Sequence, residues 1–147
     1  MHDCEIAGQT DFFYGFGTCW VTNSEVTLRG CGGGITAWKG MQAFSPSRVV
    51  QDADCYLLRK ADTTTGTNTT FENKYGVYIH DSVVQKANST LEIEGECALG
   101  RPWNALHRSI FANTYLDDSI RPSGYIEWGA TDPRVNLSML QKSLVHY

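Results

Sequence analysis

The chain has 147 residues, 41% hydrophobic and 12% aromatic, enough to bury the core of one domain and hardly of two. Its net charge of −4, from 12 Lys and Arg against 16 Asp and Glu with no run of like sign, excludes a phosphate-neutralising surface, so nucleic acid is not an expected partner. No stretch approaches the ~18 apolar residues of a bilayer span, so no membrane is expected either, and 14 glycines with only 19% charged residues favour turns and strands over charged helices.

The first element is also the first copy of a repeat. The pattern apolar, any, Asn or Asp, small, any, apolar runs Met1-His2-Asp3-Cys4-Glu5-Ile6. It returns from Val21 to Val26, Val50 to Cys55, Ile79 to Val84 and Phe111 to Leu116, with Asn23, Asp52, Asp81 and Asn113 at the place of Asp3. Each copy reads as two short strands meeting at a bend: the outer apolar residues point inward, and Asn or Asp tolerates the left-handed backbone that turns the chain. Stacked coils of this kind bury a column that no single coil could bury, as in a parallel β-helix. A chance pattern in a β-rich sequence is the alternative. If the repeat is real, Asn23, Asp52, Asp81 and Asn113 stand at successive turns along one edge.

Between the first two bends lies Gly8-Gln9-Thr10-Asp11-Phe12-Phe13-Tyr14-Gly15, and after the second comes a tight turn, Gly30-Cys31-Gly32-Gly33-Gly34. The polar segment 61–70 reads as a protruding loop. Beyond the fourth bend is Leu99-Gly100-Arg101-Pro102-Trp103, and after the fifth the aromatic-rich stretch from Ile120 to Trp128. The end, about 135–147, suits a short amphipathic helix through Leu137, Leu140 and Leu144 that caps a single domain of residues 1–147. Cys4, Cys19, Cys31, Cys55 and Cys97 lack the paired spacing of a zinc or redox motif and read as buried apolar residues. N-glycosylation sequons at Asn68, Asn88 and Asn136 point to a secreted, extracellular protein, whereas the start has no signal peptide; the expectation is that the true N-terminus lies upstream.

Several chemistries can be set aside. There is no G-x-S-x-G elbow, no H-E-x-x-H, no glycine-rich phosphate loop, and His2, His80, His107 and His146 are scattered. What remains is Asp11 among three aromatics and Arg101 beside Trp103. A partly desolvated carboxylate favours its neutral form unless a cation is near; an arginine within reach would keep it ionised and oriented, as a nucleophile needs. By residue type alone, an Asp near glycines is equally a turn residue, and Arg-Pro-Trp equally a surface arginine beside a core tryptophan.

The order G-x-x-D-F-x-[FY]-G, then L-G-R-P-W, then Ile-Arg-Pro-Ser-Gly-Tyr-Ile-Glu-Trp resembles the pectin methylesterases (pectinesterases), and among them the fungal secreted type, over nearly the whole chain. The resemblance implies an all-β, right-handed parallel β-helix that hydrolyses the methyl esters of galacturonate in pectin, as a monomer without metal or cofactor. Asp11 falls where the family has its nucleophile, Arg101 where it has the arginine that binds that carboxylate, Trp103 at the sugar subsite, and Tyr14 at a neighbouring subsite where Phe is commoner. Asp11 and Arg101 should then lie within hydrogen-bonding reach on adjacent coils, with Trp103 on the same groove wall. The family's general acid and its oxyanion-binding glutamines precede the nucleophile by about one coil, and here only ten residues precede Asp11. The chain therefore resembles the C-terminal part of the enzyme, truncated at the N-terminal end, and a pectin-binding β-helix without turnover, or an inactive fragment, is the alternative.

Overall fold

In the computed structural model the described residues are 1–15, 17–39, 76–104, 107–132 and the backbone of 145–146. The chain divides into two compact units, Met1–Met41 with Lys74–Tyr147, and Gln42–Asn73. All described residues belong to the first. Strands β1 (Glu5–Gly8), β2 (Phe13–Gly15) and β3 (Thr18–Thr22) form one coil. The next is β4 (Glu25–Leu28), β5 (Gly34–Trp38) and β6 (Gly76–His80), and a third is β7 (Val83–Lys86), β8 (Ala98–Gly100) and β9 (Ser109–Ala112). A further coil begins with β10 (Thr114–Leu116), and β11 (Val145–His146) pairs with β10. Every pairing between these strands is parallel, in sheets ordered β1-β4-β7-β10-β11, β2-β5-β8 and β3-β6-β9. Three parallel sheets visited in turn by each coil make a parallel β-helix.

The bend motif explains the core. Its first apolar residue falls on the sheet of β3, β6 and β9, where Val21 pairs with Ile79 and Ile79 with Phe111. Its last falls on the sheet of β1, β4, β7 and β10, where Ile6, Val26, Val84 and Leu116 align. All but the partly buried Ile6 are at most 5% exposed. Two inward columns thus meet at each bend, and apolar burial along them supplies the driving force.

At the bends Asp3, Asn23, Asp81 and Asn113 all have φ between 47° and 52°, the left-handed region that short polar side chains tolerate best after glycine. Asn23 donates to Asp3 Oδ1, and Asn113 to Asp81 Oδ1, so neighbouring bends are tied. The small residue that follows has a second role. Ser24, Ser82 and Thr114 each donate a hydroxyl to the carbonyl two residues back, at 2.8 to 2.9 Å, and Cys4 stands at the same place with Sγ 3.1 Å from the His2 carbonyl.

The stack passes directly from the bend at Asn23 to the bend at Asp81. Glu25 of β4 pairs directly with Val83 of β7, which leaves no rung for Asp52 between Asn23 and Asp81. The copy at 50–55 lies outside the described residues, as do the loop at 61–70 and most of the cap at 135–147, of which Val145–His146 is strand. Among the described residues no helix is long and apolar enough to cross a membrane.

Asn113→Ala is expected to destabilise the fold by about 2 kcal/mol, roughly 1 from an alanine forced to positive φ and roughly 1 from the lost hydrogen bond. Asn113→Gly should recover the backbone part. Urea unfolding of the two variants checks this, and equal losses would contradict the role given to the bend.

Candidate active site

Asp11 occupies the bend that leads into β2, with φ 48°. Its N–H donates to the Gly34 carbonyl at 2.6 Å, and the Gly34 N–H donates to its Oδ1 at 3.1 Å. Arg101 directly follows β8, and its N–H donates to the Thr36 carbonyl at 3.0 Å. The two side chains meet: Arg101 Nε donates to Oδ1 at 3.1 Å and to Oδ2 at 2.9 Å, and Nη2 donates to Oδ2 at 2.5 Å. At 14% and 24% exposure the pair is largely shielded, so this charge-assisted fork is stronger than a surface ion pair. Its hydrogen bond to Asp11 raises the Arg101 pKa above the usual arginine range, which keeps the cation in place. Turn residue and paired carboxylate are therefore both correct descriptions of Asp11. The pair does not join adjacent coils, however. Strand β5 lies between β2 and β8, so the arginine reaches across an intervening rung.

Of the three aromatics after Asp11, Phe13 is buried in the core and Phe12 packs against it, while Tyr14 is 67% exposed. The Tyr14 ring lies edge-on to Trp103 at 5.9 Å, and Trp103 lies edge-on to Trp128 at 4.7 Å. Arg101 Cζ sits 4.4 Å over the Trp128 ring, a cation–π contact that fixes the far side of the guanidinium. Trp128 gets there because the next rung follows β8: Tyr125 bridges to Gly100, and the Ile126 N–H donates to the Gly100 carbonyl at 3.1 Å. Sequence reasoning placed Trp128 in an aromatic stretch but gave it no role.

Behind Arg101 the core is polar. His107 Nδ1 lies 2.9 Å from the Trp38 carbonyl and Nε2 lies 2.9 Å from Ser109 Oγ. The Tyr125 hydroxyl donates to the Ser109 carbonyl at 2.9 Å, and Thr36 Oγ1 donates to the Leu99 carbonyl at 3.0 Å. His107 Nδ1 also lies 3.2 Å from the Trp38 nitrogen, so the tautomer decides whether the ring donates to the Trp38 carbonyl or accepts from the Trp38 N–H, and in either case Nε2 bonds Ser109. Burial pushes the His107 pKa down to about 4 and that of Tyr125 up to about 12.

Cys31 and Cys97 form a disulfide across 66 residues, which corrects their reading as buried apolar residues; Cys4 is an exposed thiol and Cys19 a partly buried one. Asn88 is exposed on the turn after β7, where its Oδ1 accepts from the Thr90 N–H and hydroxyl at 3.0 and 2.6 Å. Asn68 and Asn136 lie outside the described residues.

A model of the pectinesterase family matches residues 46–140. The chain belongs to the pectinesterase family. Pectinesterase 2 of Citrus sinensis is 30% identical over 129 residues, which cover 86% of this chain and 20% of that protein. Among solved structures, the deglycosylated pectin methylesterase of Aspergillus niger is 22% identical with a TM-score of 0.60, covering 99% of this chain and 42% of that one. The pectin methylesterase from carrot is 18% identical with a TM-score of 0.63, covering 98% and 38%. At these identities the two structures speak for the fold. The chain spans about a fifth of the length of the curated pectinesterases it matches.

Proposed function

We propose that this chain carries the nucleophile of a carboxylic ester hydrolase acting on methyl-esterified galacturonate in pectin. The observation that supports this reading most is the Asp11 carboxylate gripped at two points by Arg101 beside the rings of Tyr14, Trp103 and Trp128. In this reading Asp11 attacks the C6 ester carbonyl, the methoxy group leaves with a proton as methanol, and water then hydrolyses the acyl-enzyme to carboxylate and free Asp11. Arg101 pairs with the attacking carboxylate and aims it, while the exposed face of Tyr14 and the ring of Trp103 cover pyranose faces. None of these steps uses a metal or cofactor. Secretion fits the same reading, since a disulfide and an exposed sequon at Asn88 suit an extracellular protein.

A second reading, pectin binding without turnover, is favoured by the two carboxylates that precede Asp11. Asp3 is held by Asn23 and His2 at its bend, and Glu5 accepts from Thr27 on β4 at 3.3 Å, so neither is placed as an acid at Asp11. Measuring methanol release and pectin co-sedimentation on the same preparation separates the two. With no acid placed at Asp11 among the described residues, release from this chain is expected to fall at least ~10²-fold below that of a full-length enzyme, with co-sedimentation retained. Loss of both would contradict either reading.

A further inference from the structure

The turn from Gly30 to Gly34 belongs to no bend of the repeat, yet it is the backbone across which Asp11 and Arg101 meet. Neighbouring strands stand ~4.8 Å apart, so the backbones of β2 and β8, with β5 between them, are roughly 10 Å apart. A guanidinium can cross that gap only over a rung that presents no side chain. A Cβ on Gly33 would lie 2.9 Å from Asp11 Oδ1 and 3.0 Å from Arg101 Nε. One on Gly34 would lie 2.5 Å from Gly100 Cα and 2.6 Å from the Arg101 nitrogen. Neither glycine has positive φ, so here glycine supplies space and not conformational freedom. The height of the turn is fixed from both sides: Arg29 N–H donates to the Gly8 carbonyl at 2.8 Å before it, and Cys31 within it is bonded to Cys97, the residue before β8.

We propose that the Cys31–Cys97 disulfide and Gly33 are positioning residues that hold the glycine turn at the one height where Asp11 and Arg101 bond across it. Reduction should then part the pair without dissolving the sheets. A dithiol gives up two electrons and two protons, the cystine becomes two thiols, and the dithiol closes to its own cyclic disulfide. The freed turn can rise into the space that the carboxylate and guanidinium share. The consequence for catalysis rests on the reading of Asp11 as nucleophile; the geometric claim does not.

The test observes the Arg101 Nε–H proton of the full chain by NMR, with and without dithiothreitol, beside methanol release from pectin. In the oxidised chain this proton is expected to exchange slowly with solvent. On reduction its exchange should quicken about tenfold or more while the amides of Val26 and Val84 stay protected, and reoxidation should restore it. Gly33→Ala with the disulfide intact should produce the same change. Where methanol release is measurable, kcat should drop by about 10- to 100-fold with KM nearly unchanged, because orientation and not binding is lost. A staple that only stabilised the fold would move the unfolding midpoint and leave the Arg101 proton alone. An unchanged Nε–H in Gly33→Ala overturns the proposal, and so does an unchanged Nε–H in a chain shown by mass to be reduced. If reduction unfolds the core, Gly33→Ala decides alone. If the oxidised chain releases no methanol, the hydrolase reading fails while the proton still reports on the positioning.

Discussion

Asp11→Asn is expected to abolish methanol release from methyl-esterified pectin in a full-length enzyme built on these residues, by about 10⁴-fold or more, as for other nucleophiles whose removal leaves the rest of the site intact. The fold should survive the change. Asparagine tolerates φ 48° as well as aspartate does, and its carbonyl can still accept one bond from Arg101 or Gly34. Its amide group, however, can neither attack nor accept the second donor. Arg101→Lys should be severe by a different route, roughly 10²-fold, because an ammonium cannot reproduce the Nε and Nη2 fork or lie flat over Trp128. Methanol measured by a coupled oxidase assay checks both. Activity above about 1% of the parent in Asp11→Asn would remove Asp11 as nucleophile.

Acid should destabilise this chain through His107. Its pKa is about 4 in the folded state, lowered by burial, against an ordinary value of 6.5. The native state therefore prefers the neutral ring, and the unfolded chain binds the proton first. That contribution to stability is complete above pH ~6.5 and is lost as pH falls toward 4, by about 3 kcal/mol in all. His107→Gln removes the titration but also the bond between Nε2 and Ser109, so it should be less stable than the parent at pH 7 and flatter between pH 7 and pH 4. Urea midpoints at half-unit steps of pH test this. Parallel pH profiles for the two proteins would show that His107 does not carry the acid response.

The β-helix was legible in the sequence because the bend motif constrains three things at once: an inward apolar residue on each side and a left-handed residue between them. Val21 and Val26, Ile79 and Val84, and Phe111 and Leu116 meet all three constraints. The copy at Asp52 lies outside the described residues, and no local pattern reports register, which here joins Glu25 to Val83 directly. Ser24, Ser82 and Thr114 were legible as small residues, whereas their hydroxyl bonds to carbonyls two residues back needed the bend in three dimensions. At the site, Asp11 and Arg101 were joined only by family resemblance, since residue type serves a turn equally well. The glycine turn under them, the Cys31–Cys97 bond and the contact of Trp128 with Arg101 all depend on which rungs neighbour one another, and spacing along the chain does not encode that.

Trapping the acyl-enzyme tests the central claim most directly. The oxidised chain is incubated with a methyl-esterified oligogalacturonate and hydroxylamine, digested, and examined by mass spectrometry for hydroxamate. The anhydride formed when Asp11 attacks an ester carbonyl can be opened by hydroxylamine at either acyl carbon, so a fraction of the peptide containing Asp11 should carry the label, and Asp11→Asn should carry none. Methanol released above that of a protein-free control with hydroxylamine, while that peptide stays unlabelled, would contradict an aspartate nucleophile.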